Sequence, residues 1–338
     1  MDDSDAELFG ESDDDDNPDG VRSAAALFGV LDLLDDDGEQ NSKAATKDAF
    51  EALLVKGSDT LSFTGWHFGD EGLKTLAAAV SQSDASSCIV SISLEENDIG
   101  DEGFIELIER CAAKLQRLEK LFCTQNQITA DGVDVLCKSL SDGNFAQLKV
   151  CDLNGNAKFG DKGLSALGQA VSHGSLAALT NLFLDNTSIG DEGLVAFARS
   201  LRGSNGVLPM LFELWLSNNQ IGNDGAVALF DALGGSATSA MPKLGDLRLQ
   251  YNLIGDPGIH ALSSAVERGA LSTAWYLGLA ENAFSDAGVA TLDAALRAGR
   301  LPRLEFLTIS SAEASGSALE SVQDTINRRR GHATQADR

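Results

Sequence analysis

Basic residues are scarce in this chain. Its 338 residues hold 25 lysines and arginines against 51 aspartates and glutamates, a net charge of −26. That balance repels nucleic acid and anionic membrane surfaces and favours a partner with a basic patch. Histidine is scarcer still: His67, His173, His260 and His332 fall far apart in the chain, and none pairs with a Cys or Ser in an evident nucleophile arrangement. No Walker-type phosphate loop occurs, and no His/Cys spacing suits zinc. These absences argue against an enzyme and give no reason to expect a metal or cofactor. No apolar run approaches the length of a membrane span. The opening Met1-Asp2-Asp3-Ser4-Asp5 lacks the basic-then-apolar order of a signal peptide. The expectation is a soluble monomer of the cytoplasm or nucleus. Cys88, Cys111, Cys123, Cys137 and Cys151 form no CxxC pair and read as small buried hydrophobes kept reduced.

What the chain does have is a phrase that returns about every 30 residues. One copy reads Leu244-x-x-Leu247-x-Leu249-x-x-Asn252-x-Ile254-Gly255-Asp256-x-Gly258. Others run from Leu211 through Asn219 to Gly225 and from Ile89 through Asn97 to Gly103. Anchored on the Asn position, the series is Trp66, Asn97, Asn126, Asn156, Thr187, Asn219, Asn252, Asn282 and Ala312, with gaps of 29 to 33 residues. Apolar residues five and three before each anchor alternate with polar ones, as in Leu182 and Leu184, which is strand periodicity. After the anchor come a turn, Gly-Asp-x-Gly, and apolar residues at helical spacing, as in Gly193, Phe197 and Leu201. The Asp before the second Gly is placed to cap the first helical turn, and Pro257 fits a first turn as well. Each unit is therefore a short strand, a turn and a helix, and it must stack on its neighbours to bury its apolar side. The anchor Asn is expected where the chain leaves the strand, satisfying backbone groups that no ladder reaches.

The pattern resembles the leucine-rich repeat family, in particular its long-repeat, ribonuclease-inhibitor-like class, over roughly residues 58 to 326. The resemblance implies an α/β solenoid, a horseshoe with parallel strands on the concave face and helices on the convex face. It also implies a binding function through the concave face, and it does not say which partner is bound. Two other readings stay open. Ran GTPase-activating proteins share the repeat class, but their acidic region follows the repeats, whereas here it precedes them, and no motif lets a catalytic residue be carried over. A structural subunit of a ciliary or cytoskeletal assembly fits equally well.

In this register the side chains six, four and two residues before each anchor face outward. The middle row reads Ser62, Ser93, Phe122, Asp152, Phe183, Trp215, Arg248, Gly278 and Thr308. Glu95, Asp185, Glu213, Asp246 and Tyr276 flank it. Phe122, Phe183 and Trp215 are large apolar groups at positions expected to meet solvent. They stand among five carboxylates, with only Lys120 and Arg248 to balance them, an arrangement suited to gripping a basic protein partner.

Outside the array, residues 1–41 read as an acidic disordered extension: residues 1–51 hold 17 acidic and 3 basic residues. Leu8-Phe9-Gly10 and Leu27-Phe28-Gly29 repeat within it, so the segment reads either as a solubilising tail or as a docking element with a few apolar anchors. Asp15, Asn17, Asp19 and Gly20 mimic the start of a calcium loop, but Ala26 stands where the bidentate Glu is needed. Residues 42–57, with Phe50 and Leu54, read as a helix capping the open end of the core. Residues 327–338, with Arg328-Arg329-Arg330, read as a basic tail.

Overall fold

The computed structural model describes Phe50, Leu54 and residues 58–202, 207–235 and 240–336. The expected acidic extension, with its Leu-Phe-Gly copies, and most of the expected capping helix lie outside the described residues. The chain divides after Ala49, and the repeats all belong to the unit that begins at Phe50.

Nine strands of three residues line up in chain order in one parallel sheet. They are β1 (Thr60–Ser62), β2 (Ser91–Ser93), β3 (Lys120–Phe122), β4 (Val150–Asp152), β5 (Asn181–Phe183), β6 (Glu213–Trp215), β7 (Asp246–Arg248), β8 (Tyr276–Gly278) and β9 (Phe306–Thr308). A helix follows each strand: α1 (Gly69–Gln82), α2 (Asp101–Cys111), α3 (Ala130–Ser141), α4 (Gly160–Ser172), α5 (Asp191–Ser200), α6 (Asn223–Leu233), α7 (Asp256–Glu267), α8 (Asp286–Arg297) and α9 (Gly316–Ala336). Every pairing matches residues equally distant from their anchors, from Ser62 opposite Ser93 to Gly278 opposite Thr308. The core is the layer between sheet and helices. Leu182, Leu214, Leu247 and Leu277 fill it from the strands, and Leu194, Leu229, Leu262 and Leu292 from the helices, all fully buried. Strands sit about 4.8 Å apart and packed helices about 8–10 Å, so the stack bends with its strands on the inner side.

The Asn anchors behave as expected and reach further. Asn252 Nδ2 donates to Leu249 O of its own repeat (3.1 Å) and to Leu216 O of the preceding one (2.9 Å). Its Oδ1 accepts from Ile221 N of the preceding repeat (3.0 Å). Asn126, Asn156, Asn219 and Asn282 repeat this arrangement. At Asn97 the Nδ2 bonds are present but Oδ1 has no partner among the described residues. Thr187 substitutes by donating its hydroxyl to Leu184 O. At the last repeat the bridge to Asn282 is made by Ser311, which is buried, and not by the expected Ala312, which is exposed.

The capping expectation needs correction. The Asp of Gly-Asp-x-Gly does not cap its own helix; it caps the helix of the next repeat. Asp70 Oδ1 accepts from Gly100 N (2.7 Å) and Gly103 N (3.0 Å) at the start of α2. Asp161 serves Gly190 N and Gly193 N, Asp191 serves Gly222 N and Gly225 N, and Asp256 serves Ser285 N and Gly288 N. Asn223 does the same for α7. The second glycine is thereby explained, because a Cβ on Gly225 would lie 2.7 Å from Asp191 Oδ1 and one on Gly193 2.6 Å from Asp161 Cα. Ala130 occupies the corresponding place in α3, so α4 receives no such cap.

Both ends are covered. Phe50 packs edge-on against Phe63 and Phe68 and stacks with Trp66, and Leu54 is buried. At the other end Val322 and Ile326 of α9 are buried, and the helix continues without a break past 326, where a separate tail was expected to begin. The cysteines are all free. Cys111, Cys123, Cys137 and Cys151 are buried, and burial pushes the Cys111 and Cys137 thiols up to about 12 and raises the other two as well, which keeps them protonated and unreactive. Cys88 departs from expectation by lying exposed after α1.

Candidate functional site

The inner face of the sheet carries the residues singled out in the sequence, and side chains of successive strands stand side by side there. Phe183, Trp215 and Arg248 share one row in strict register. The Phe183 and Trp215 rings pack against each other with centroids 4.1 Å apart and planes tilted by 35°, and the Arg248 guanidinium lies 3.8 Å from the Trp215 centroid and 5.0 Å from that of Tyr276. Four side chains from β5 to β8 thus form a continuous stack. Phe122, Phe183 and Trp215, expected to face solvent, are half-buried, and the Phe183 and Trp215 rings cover one another. The Trp215 Nε1 is shielded within the stack and finds no hydrogen-bond partner among the described residues.

Asp246 also departs from expectation. It is 1% exposed, and it grips Arg248 through Nε (3.2 Å) and Nη2 (2.9 Å). This carboxylate is a holder of Arg248 within the face and is not presented to solvent. Tyr276 continues into a polar chain: Gln250 Nε2 donates to Tyr276 Oη (3.0 Å), and Ser217 Oγ donates to Gln250 Oε1 (2.8 Å). The Gln250 amide lies over Gly278, where a Cβ would collide with it, so the empty place in the middle row is filled from β7's side. The half of the face from β6 to β9 is thus largely satisfied within itself. Glu213 stands half-buried at the start of β6.

The half from β2 to β5 differs. Asp152 accepts from Asn154 N (2.9 Å), Asn154 Oδ1 accepts from Asp185 N (2.6 Å), and Asp185 Oδ1 accepts from Ser217 N (2.5 Å). Glu95 accepts from the Thr64 hydroxyl. None of these three carboxylates is ion-paired among the described residues. Burial pushes Asp152 above the ordinary carboxylate value, with Glu95 adding to the rise, and burial pushes Asp185 up to about 6 despite the Ser217 amide and the distant Arg248. A shallow polar groove continues this acidic half along the strand exits, past Asp98, Gln125, Asn154 and Asn186.

Sequence reading missed several exposed apolar groups. Met210 and Phe212 precede β6, and Tyr251 and Leu253 follow β7. They stand outside the alternating strand positions, so an inward/outward template passes over them. The signal that could have found Phe212 is Gly245, one repeat on: a Cβ there would lie 2.5 Å from the Phe212 ring. Among the described residues no group of three His, Cys, Asp or Glu could hold a metal ion, and no helix is long and apolar enough to cross a membrane.

Residues 85–107, 148–168 and 207–230 each match the model of a leucine-rich repeat family. No curated protein matches the chain. Among solved structures, the actin-binding site 2 of leiomodin-1 is 18% identical over 50% of this chain and 91% of its own, with a TM-score of 0.38. The ectodomain of the Arabidopsis receptor kinase HAESA, solved with a peptide hormone, is 15% identical over 74% of this chain and 38% of its own, with a TM-score of 0.39.

Proposed function

Starting from a chain built of leucine-rich repeats, we propose that it is a non-enzymatic scaffold or regulator that holds a basic protein partner on the inner face of its sheet. The observation that carries this reading is the Phe183–Trp215–Arg248–Tyr276 stack. Aromatic and arginine side chains on a rigid sheet lose little freedom on binding, and these groups supply most of the energy in protein interfaces. Unpaired carboxylates beside them favour a basic partner and speed its encounter. The repeat length of 29 to 33 residues, with a full helix in each unit, supports the reading of the array as ribonuclease-inhibitor-like.

The test is affinity capture with the full chain beside the Phe183→Ala/Trp215→Ala variant, after circular dichroism has confirmed that the variant is folded. Loss of a captured protein, by tenfold or more, is expected. A folded variant that captures the same proteins in the same amounts would remove the inner face from consideration.

A further inference from the structure

Phe122, Asp152 and Phe183 occupy one row on three successive strands. The two rings stand on alternate strands, whose backbones lie about 9.6 Å apart at twice the usual strand spacing. Phe183 leans the other way, onto Trp215 at 4.1 Å. The short side chain of Asp152 between them leaves a slot with aromatic walls and a carboxylate floor. Asp185 stands beside it in the row two residues before the anchors, and Glu95, one strand beyond Phe122 in the same row, is near enough to act on Asp152.

Further along the same row the chain shows how such a place is filled. The Arg248 guanidinium lies over the Trp215 ring, 3.8 Å from its centroid, and is gripped by Asp246. There the guanidinium belongs to the protein; at Asp152 none does. Lys120 and Arg248 are the cations of this face. Lys120 makes no ion pair among the described residues and stands two positions before Phe122, at the start of β3. Arg248 is committed to Asp246 and eases Asp185 only from a distance. The raised Asp152 and Asp185 carboxyls express the same deficit: charge is held in a partly buried place with no cation beside it.

We infer, building on the inner-face reading above, that the slot between Phe122 and Phe183 receives an arginine from an extended basic segment of a protein partner. A guanidinium stacks on an aromatic face with its plane while donating paired hydrogen bonds to a carboxylate at its edge. An ammonium cannot do both, so lysine is the poorer occupant.

The test is fluorescence anisotropy of the full chain with a labelled synthetic peptide that alternates arginine and serine. A lysine–serine peptide of equal length is its comparator. The arginine peptide is expected to bind on the order of tenfold more tightly at equal salt. Asp152→Asn and Phe183→Leu should each abolish that preference, whereas Glu192→Gln, an exposed carboxylate on α5, should leave it intact. Thermal melts establish that each variant is folded, and two variants of different chemistry guard against the failure of one. Equal binding of the two peptides, or a preference that survives both slot variants, would overturn the inference in favour of general charge attraction. Displacement by calcium chloride, but not by potassium chloride of equal ionic strength, would overturn it in favour of a cation site. The inner-face reading fails separately: if the Phe183→Ala/Trp215→Ala variant loses its captured partner while arginine shows no advantage, the face stands and the arginine slot falls.

Discussion

Asn126 uses both ends of its amide. Its Oδ1 accepts from Asn97 N and Ile99 N, and its Nδ2 donates to Leu94 O and Cys123 O. Removing it leaves buried backbone groups of two repeats without partners, at about 1–3 kcal/mol for each group stranded. Asn97 is equally buried, but its Oδ1 is idle because the matching residue of the first repeat, Phe68, already begins the turn into α1. Asn126→Ala should therefore cost about 3 kcal/mol or more, and Asn97→Ala clearly less. Urea unfolding of both variants measures the difference. Equal losses would show that the anchors act by filling space and not through their hydrogen bonds.

Among elements, the strands and helices were legible from the sequence because period-2 and period-3.6 patterns alternate inside each unit. The registration of the sheet was legible because the anchors recur. The direction of the Asp cap was not, since Asp191 and the amides of Gly222 and Gly225 are separated by a full repeat, and nothing local distinguishes them from the amides of Asp191's own helix. The inner face was half legible. Alternation placed Phe183, Trp215 and Arg248 on it, but not their stacking on one another, nor the burial of Asp246 under Arg248, which depend on neighbours some 30 residues away. The cap itself is testable. Asp191→Ala should cost about 1–2 kcal/mol by freeing the first amides of α6. Gly225→Ala should cost about 1–3 kcal/mol by crowding Asp191. The double variant should lose less than the sum of the two single losses, because truncating Asp191 removes the oxygen the new methyl meets. Strict additivity in chemical denaturation would show that the two sites do not communicate.

At the scale of the whole array, acid and base limbs of stability are set by different groups. Asp256 is held below the ordinary carboxylate value of 3.8 by the Ser285 hydroxyl and the amides of Ser285 and Gly288. At Asp293 burial works the other way but is outweighed by hydrogen bonds from Thr325, Arg297 and Ser321, which tie α9 to α8. With folded values below unfolded ones, these two contribute stability that is present above pH 3.8 and is lost as pH falls through their lowered values. Asp185 has the opposite sign: its folded value of about 6 lies above 3.8, so its penalty is full above pH 6 and is relieved as pH drops toward 3.8. The array should therefore gain stability on going from pH 7 to about pH 5 and lose it in stronger acid. Asp185→Asn should flatten the first limb by on the order of 1 kcal/mol, allowing for partial solvation. Asp293→Asn should flatten the second. Thermal melts across this range decide both, and an unchanged upper limb in Asp185→Asn would place the effect elsewhere.

The forward reach of the Asp caps gives the array a polarity. Each capped helix is told where to start by the repeat before it, so a segment cut at strand boundaries there carries one hook with nothing to hold and one helix with nothing to hook it. The piece that could be duplicated or transplanted intact runs from one Asp to the next, across the junction. Ala130 is the link where no hook was forged. There the segment ending in α3 and the segment beginning with β4 meet through packing, sheet pairing and the Asn156 bridge to Cys123 and Ile128 but without that tie, and a splice at this point would spare the Asp caps on both sides.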